Sequence, residues 1–216
     1  QSILNYLKIP YTHSGVLASS LAMNKVISKK IFQSLGVRCP KTYDSLDIGK
    51  IKLPIIIKPI CGGSSNGLIK IENKEKFNKI KPSFKINKLM IEEYIQGREI
   101  TVGILNNKIC GIMEIISDSE IYDFKNKYVN IAKHIIDPKL PDIIKKNLID
   151  HSLNVHNKIN CSCLSRLDFR YDEDLNEIFL LEINTQPGLT KNSLLPEMAK
   201  NSGIDFFQGF IIFRAS

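Results

Sequence analysis

The densest chemistry in the sequence lies in two short runs, CLSRLDFRYD at 163–172 and EIFLLEIN at 177–184. Both alternate as strands do, so side chains two apart share a face. Alternation puts Leu164, Arg166, Asp168 and Arg170 on one face of the first run, with Cys163, Ser165, Leu167 and Phe169 on the other. In the second run Phe179, Leu181 and Ile183 share a face, and Ile178, Leu180, Glu182 and Asn184 share the opposite one. A hairpin loop of Asp174, Leu175 and Asn176 pairs Asp168 with Glu182 and Arg166 with Asn184. Two carboxylates, an amide oxygen and a guanidinium then converge on one sheet face. Carboxylates directly opposite one another repel, so a cation between them is expected. Oxygen-only ligands from Asp168, Glu182 and Asn184 suit Mg²⁺ or Mn²⁺ rather than zinc. The alternative is a polar face on which Arg166 and Arg170 neutralise the carboxylates locally.

Three further segments could serve such a site. CGGSSNG at 61–67 has the small residues that let backbone N–H groups approach an anion. Lys58 precedes it, and Leu68 stands where a Walker loop would need lysine, so the segment is not one. It reads equally as a surface turn. MIEEYIQGREITV at 90–102 carries Glu92 and Tyr94 on one face and Glu93 and Ile95 on the other. It suits a flat ligand, with carboxylates for ribose hydroxyls and backbone groups for a base edge, or else is a charged linker. Past Asn184 the chain enters Pro187-Gly188, where a backbone N–H could serve as an oxyanion donor. Ser193 stands where it can cap the next helix, and helix N-termini favour carboxylates and phosphates.

The elements that must position these residues follow from periodicity. Residues 24–36 read as a helix capped by Asn24 and closed by Gly36. Strands are expected at 54–58, in GLIKIE and in MIEEYI, with a short helix capped by Asn73 between the last two. EITVGIL and KICGIMEII form a hairpin about Asn106-Asn107. Residues 117–138 show no clear element and suggest a functional loop. Pro141 opens a helix with Ile144, Leu148, Val155 and Ile159 near one face, and short helices start at Ser193 and Asp205. Strands, helices and hairpins mix in an α+β chain of two lobes, each with antiparallel sheet, meeting near residues 90–100.

Composition bounds the rest. With 216 residues, 43% apolar and 24% charged, the chain is neither disordered nor collagen-like. No run approaches the ~18 apolar residues of a membrane span, and no signal peptide is visible. The chain begins with Gln1, which reads as loss of something upstream or as a fragment. The net charge of +8 invites a nucleic-acid reading, but 25 of the 30 basic residues are Lys, whereas base readout favours Arg. Five cysteines without a C-x-x-C suggest reduced thiols in a cytoplasmic protein. Cys161-x-Cys163 and the four histidines offer no metal spacing.

The string LLEINTQPGLTKNSLLPEMAKNSGIDF resembles the C-terminal signature of D-alanine–D-alanine ligases, members of the ATP-grasp superfamily. The likeness continues in order through PYTHSGVLASSLAMNKVISK, IIIKPICGGSSNG, MIEEYIQGREITV, IYDFKNKY and SRLDFRYD. It implies an ATP-grasp fold and ATP-dependent joining of two D-alanines for peptidoglycan precursor synthesis. ATP would lie between the lobes, held by Lys25, Lys58, Ser65, Glu92, Ile95 and Glu99, with Lys127 near the phosphates. Asp168, Glu182 and Asn184 would hold two Mg²⁺ or Mn²⁺ ions. ATP would phosphorylate the first D-alanine, and the amine of the second would attack the acyl phosphate. Arg166 and the Gly188 N–H would stabilise the oxyanion, and Ser193 and Leu194 would bind the second carboxylate. Ser64 and Tyr128 would order the substrates and close the 117–138 loop, and Tyr128 argues against a D-lactate-using relative. The resemblance also implies a homodimer.

It divides the chain into residues 1–23, the end of an N-terminal substrate lobe, 24–95, a central lobe, and 96–216, a C-terminal lobe. The family's N-terminal lobe binds the first D-alanine and supplies a Glu to its ammonium group; here only residues 1–23 correspond to it. Ser165 stands for the usual Gly before the family Arg, Asn24 for the usual Asp, and CGGSSNG for a loop with a charged start. Two other readings accompany the ligase: another ATP-grasp carboxylate–amine ligase, and a nucleotide-binding remnant without turnover.

Overall fold

In a computed structural model of the chain, the described residues are all but 46, 64–65, 84–87, 118–132, 191 and 205–216. Helices α1 (Ser2–Tyr6), α2 (Val16–Met23) and α3 (Lys25–Ser34) come first. Strands β1 (Thr42–Tyr43), β2 (Ile55–Pro59), β3 (Ile69–Ile71) and β4 (Leu89–Glu93) follow, with α4 (Lys74–Ile80) after β3. The second half holds β5 (Arg98–Leu105), β6 (Lys108–Ile116), β7 (Lys133–Ile136), α5 (Asp142–Lys158), β8 (Leu164–Asp172), β9 (Glu177–Asn184) and α6 (Leu194–Asn201).

The strands form two sheets, ordered β1-β4-β2-β3 and β7-β6-β5-β8-β9, with every pairing antiparallel. The smaller sheet closes a core of Ile51, Ile55, Ile57, Ile71, Phe77 and Ile91. Phe77 comes from α4, whose start is fixed by Asn73 accepting from the Lys76 N–H at 2.8 Å. One face of the larger sheet, with Ile100, Val102, Ile104, Leu167 and Phe169, packs against α5 through Ile144, Leu148 and Val155. Those helix positions recur at four and seven residues, one buried stripe of an amphipathic helix.

The stretch 24–37, expected with the smaller sheet, places its buried Phe32 and Val37 in this larger core, as α2 does Ala18 and Ala22. Asn24 caps α3, accepting from the Val26 and Ile27 N–H groups at 3.2 Å. At one end of the larger sheet's other face, Leu194, Leu195 and Met198 of α6 pack on Leu105, Met113 and Leu164. Farther along, that face carries Glu99, Arg166, Asp168, Arg170 and Glu182.

Two expectations are corrected. Strand β7 lies inside the 117–138 stretch, which was expected to lack an element; it pairs with β6 from Met113↔Ile136 to Ile116↔Lys133. The β8–β9 hairpin does pair Asp168 with Glu182 and Arg166 with Asn184, but by a different route. Its loop runs over residues 173–176, because Asp172 pairs directly with Glu177. Leu181 is then left unpaired between Phe169↔Leu180 and Asp168↔Glu182. This bulge shifts the phase of β9. Ile178 and Leu180 therefore enter the core with Ile183, instead of sharing the face of Glu182 and Asn184.

Candidate active site

A cleft runs between the two sheets. The smaller sheet and its glycine loop supply Ile56, Lys58, Pro59, Gly62, Gly63, Leu68 and Glu92. Glu93, Tyr94 and Ile95 cross between the sheets, and the larger sheet supplies Glu99, Arg166, Asp168, Arg170, Leu181 and Glu182. Lys25 and Leu194 also line it.

The floor is built by β8. Arg166 and Asp168, two apart and on one face, form a bidentate pair at 2.8 and 2.7 Å. Thr101 of the adjacent β5 donates to Asp168 Oδ1 at 2.7 Å. Burial disfavours the charged guanidinium, but Asp168 outweighs it and holds the Arg166 pKa above its ordinary value. Glu182 lies 3.5 Å from the Lys25 ammonium, which also donates to the Gly62 carbonyl at 2.7 Å. Lys25 thus ties the glycine loop to β9. Beside it, Glu92 is 2% exposed and bridges two ammonium groups, those of Lys58 and Lys29. Burial pushes the Glu92 carboxyl up, but Lys58 and then Lys29 outweigh it, so the group stays below the usual carboxylate range. Lys29 donates also to the Pro40 carbonyl at 2.7 Å. Two lysines on one carboxylate leave a net positive charge beside the cleft, which suits an anion such as a phosphate.

Asp168, Glu182 and Asn184 offer only hard oxygen donors. No three His, Cys, Asp or Glu cluster as a metal site among the described residues. Mg²⁺ is commonly held by one or two carboxylates, with water and phosphate oxygens completing its shell. Asn184 Oδ1 accepts from the Gln186 N–H at 3.0 Å, which fixes the side chain at the end of β9. The donor set fits a small divalent cation.

At the other end of the cleft the crossing segment is pinned to the larger sheet. Arg170 donates to the Ile95 carbonyl at 3.1 Å and the Tyr94 hydroxyl at 3.3 Å, and lies 3.7 Å from Glu99. Gly97 has φ +110°, and a Cβ there would meet the Tyr171 carbonyl oxygen at 2.1 Å, so only glycine fits.

A family model described as the C-terminus of D-ala D-ala ligase matches residues 21–211. The chain belongs to the D-alanine–D-alanine ligase family. A D-alanine–D-alanine ligase from a Wolbachia of Brugia malayi is 41% identical over 232 residues, covering 95% of this chain and 68% of the relative. That of Bartonella tribocorum is 42% identical over 219 residues, covering 94% and 70%. Among solved structures, the Bacillus anthracis D-alanine–D-alanine ligase complexed with ATP superposes with a TM-score of 0.82 at 27% identity. That superposition covers 99% of this chain and 72% of the other.

Within this ligase-family fold the expected residues are placed unevenly. Lys25, Lys58, Glu92, Ile95, Glu99, Arg166, Asp168, Glu182 and Leu194 come together on the cleft. Glu92 faces its two lysines. Gly188 and Ser193 adjoin each other beyond it: a Cβ on Gly188 would meet Ser193 Oγ at 2.7 Å. Ser193 occupies the N-cap position of α6 without a side-chain cap bond. Its hydroxyl meets the Thr190 N–H at 3.1 Å and the Thr190 hydroxyl at 2.8 Å instead, so the expected side-chain cap is not made. Ser64, Ser65, Lys127 and Tyr128 lie outside the described residues. Sequence reasoning missed Lys29, Leu181 and the site roles of Tyr94 and Arg170. Lys29 was findable, four residues after Lys25 and hence on the same helix face.

Ser165 is fully buried and meets His156 Nδ1 at 2.7 Å, while His156 Nε2 meets Asn107 Oδ1 at 2.9 Å. Asn107 Oδ1 can only accept, so Nε2 carries the proton and Ser165 donates to Nδ1. Burial lowers the His156 pKa to about 4, so the ring is neutral. Burial likewise pushes the Cys110 thiol to about 12 and Cys161 to about 11. Both are core thiols. No described helix is long and apolar enough to cross a membrane.

Proposed function

We propose that this chain carries the ATP-binding and phosphoryl-transfer machinery of a D-alanine–D-alanine ligase. The reading rests on one observation above all: Asp168 opposite Glu182 and Arg166 opposite Asn184, with Arg166, Asp168 and Glu182 lining one cleft with Lys25 and Lys58. ATP would lie in the cleft, its base against Ile95 and its phosphates toward Lys25, Lys58 and the glycine loop with Ser65. Ile95 suits this role because its N–H makes no hydrogen bond among the described residues. Glu99 would hold the ribose. Glu92 would act by keeping Lys58 charged and aimed.

The carboxylate of the first D-alanine would attack the γ-phosphorus, releasing ADP and forming an acyl phosphate. The amine of the second would attack the acyl carbon and lose a proton, and phosphate would leave as D-alanyl-D-alanine forms. Arg166 and the Gly188 N–H would face the developing oxyanion, a contribution of about 10²–10³-fold per donor. Ser193 and Leu194 would seat the second carboxylate. Ser64, Tyr128 and Lys127 would close over the site and exclude water. Two Mg²⁺ or Mn²⁺ ions, held by Asp168, Glu182 and Asn184, would neutralise charge on the phosphates. The product would feed the synthesis of peptidoglycan precursors in the cytoplasm, by a homodimer.

The test is incubation of this chain with ATP, Mg²⁺ and D-alanine, followed by mass spectrometry. The expected result is D-alanyl-D-alanine and ADP, both absent without D-alanine. A folded chain that binds ATP and releases no D-alanine-dependent ADP would support the reading of a nucleotide-binding remnant instead.

A further inference from the structure

The proposed roles leave Arg170 without a function, although its side chain is only 13% exposed and lines the cleft. It stands on β8 two residues beyond Asp168, on the same face. Its guanidinium reaches out of the larger sheet and takes the Ile95 carbonyl at 3.1 Å and the Tyr94 hydroxyl at 3.3 Å. The Tyr94 ring lies between two cations: the Arg170 guanidinium is 5.6 Å from its centroid and the Lys70 ammonium of β3 is 4.2 Å from it. Tyr94 is therefore clasped from both sheets, and the residue after it, Ile95, lines the cleft and has an N–H that makes no hydrogen bond among the described residues. Arg170 fixes the chain on both sides of that N–H, through the Tyr94 side chain before it and the Ile95 carbonyl after it.

We infer that Arg170 is a positioning residue for the nucleotide base, holding the Tyr94–Ile95 segment so that the Ile95 N–H meets a purine that accepts there. Adenine presents its N1 lone pair to such a donor, whereas guanine presents N1–H and leaves two donors opposed. The geometry thus makes Arg170 a determinant of base selectivity as well as affinity. The planar fork matters: lysine keeps the charge but cannot hold two divergent acceptors in one plane. The inference rests on the proposed ATP site.

Calorimetric titration of the 216-residue chain with Mg²⁺-ATP and Mg²⁺-GTP, for the native sequence and for Arg170→Met and Arg170→Lys, tests it without relying on turnover. The native chain should prefer ATP. Arg170→Met should weaken ATP by about tenfold or more while weakening GTP less, because a charge-assisted hydrogen bond lost at the base end is felt by the matched base. Arg170→Lys should fall between the two. Equal weakening of both nucleotides, with the ratio preserved, would mean a merely structural residue and overturn the inference. So would ATP binding by a folded Arg170→Met within about twofold of native. Should Arg170→Met not fold, Arg170→Lys with native affinity and native selectivity overturns it. A native chain that binds ATP and GTP alike also overturns this inference and leaves the ATP site standing. A native chain that binds no ATP overturns both.

Discussion

Glu92 is held between Lys29 and Lys58 in a nearly closed environment. Burial of an ion is tolerated only where its charge is met, and removing one partner of such a group strands the others. Glu92→Gln would leave two buried ammonium groups facing an amide. It should destabilise the fold by about 3–5 kcal/mol, read as a lower urea midpoint, and should weaken ATP as Lys58 loses its anchor. A Gln variant of native stability would show that the lysines find other partners. At this scale the sequence is informative about charge and silent about pairing. Lys58 and Glu92 were both legible as site residues, from the strand before the glycine loop and from the crossing. That they meet each other, with Lys29 as the third member, depends on β2 lying beside β4 with Ile56 opposite Glu92. Nothing in local spacing specifies that neighbour. Arg170 was legible only as a neutraliser of carboxylates. Its bonds to Tyr94 and Ile95 cross 75 residues or more.

The elements were more legible than their contacts. Asn24, Asn73 and the Asn106-Asn107 turn are local chemistry, and each marks the boundary it was expected to mark; the two turn residues have φ 55° and 57°. The late hairpin shows what periodicity misses. Its pairing at Asp168 and Glu182 was anticipated, yet through a loop one residue too short, and the bulge at Leu181 restores the register. A bulge leaves no mark in a run as apolar as IFLLEI, since either phase buries hydrophobic side chains. Strand β7 was missed because KHII follows a stretch of weak pattern. Its identity comes from pairing with β6.

The joint between α5, β8 and the Asn106-Asn107 turn is the neutral His156, bonded to Ser165 and Asn107. Its pKa is about 4 folded against 6.5 unfolded, so between these values the unfolded chain binds more protons. Stability should therefore fall as the pH is lowered from 6.5 toward 4, by about 3 kcal/mol from this residue. In denaturant titrations across that range, His156→Gln should remove that part of the slope. An unchanged slope would assign the acid sensitivity to other groups.

At the scale of the molecule, two antiparallel sheets face a common cleft, and each contributes what the other lacks. The smaller brings Lys58 and a glycine loop; the larger brings the Arg166–Asp168 pair and Glu182. The α+β class and the antiparallel sheets were legible because hairpins and short helices alternate in the sequence. The packing of α2 and α3 onto the larger sheet was not, since an amphipathic stripe states that a face is buried and not against what. The family match over residues 21–211 and the ligase named in the Bacillus anthracis ATP complex accord with the chemistry the cleft suggests. The proposed reaction requires an acyl phosphate to form in this cleft. The most direct measurement supplies D-alanine labelled with oxygen-18 in its carboxylate, with ATP and Mg²⁺, and reads the inorganic phosphate by mass spectrometry. The account predicts one labelled oxygen transferred to phosphate for each dipeptide formed, with ADP as the nucleotide product. Unlabelled phosphate, or AMP and pyrophosphate in place of ADP, would contradict it.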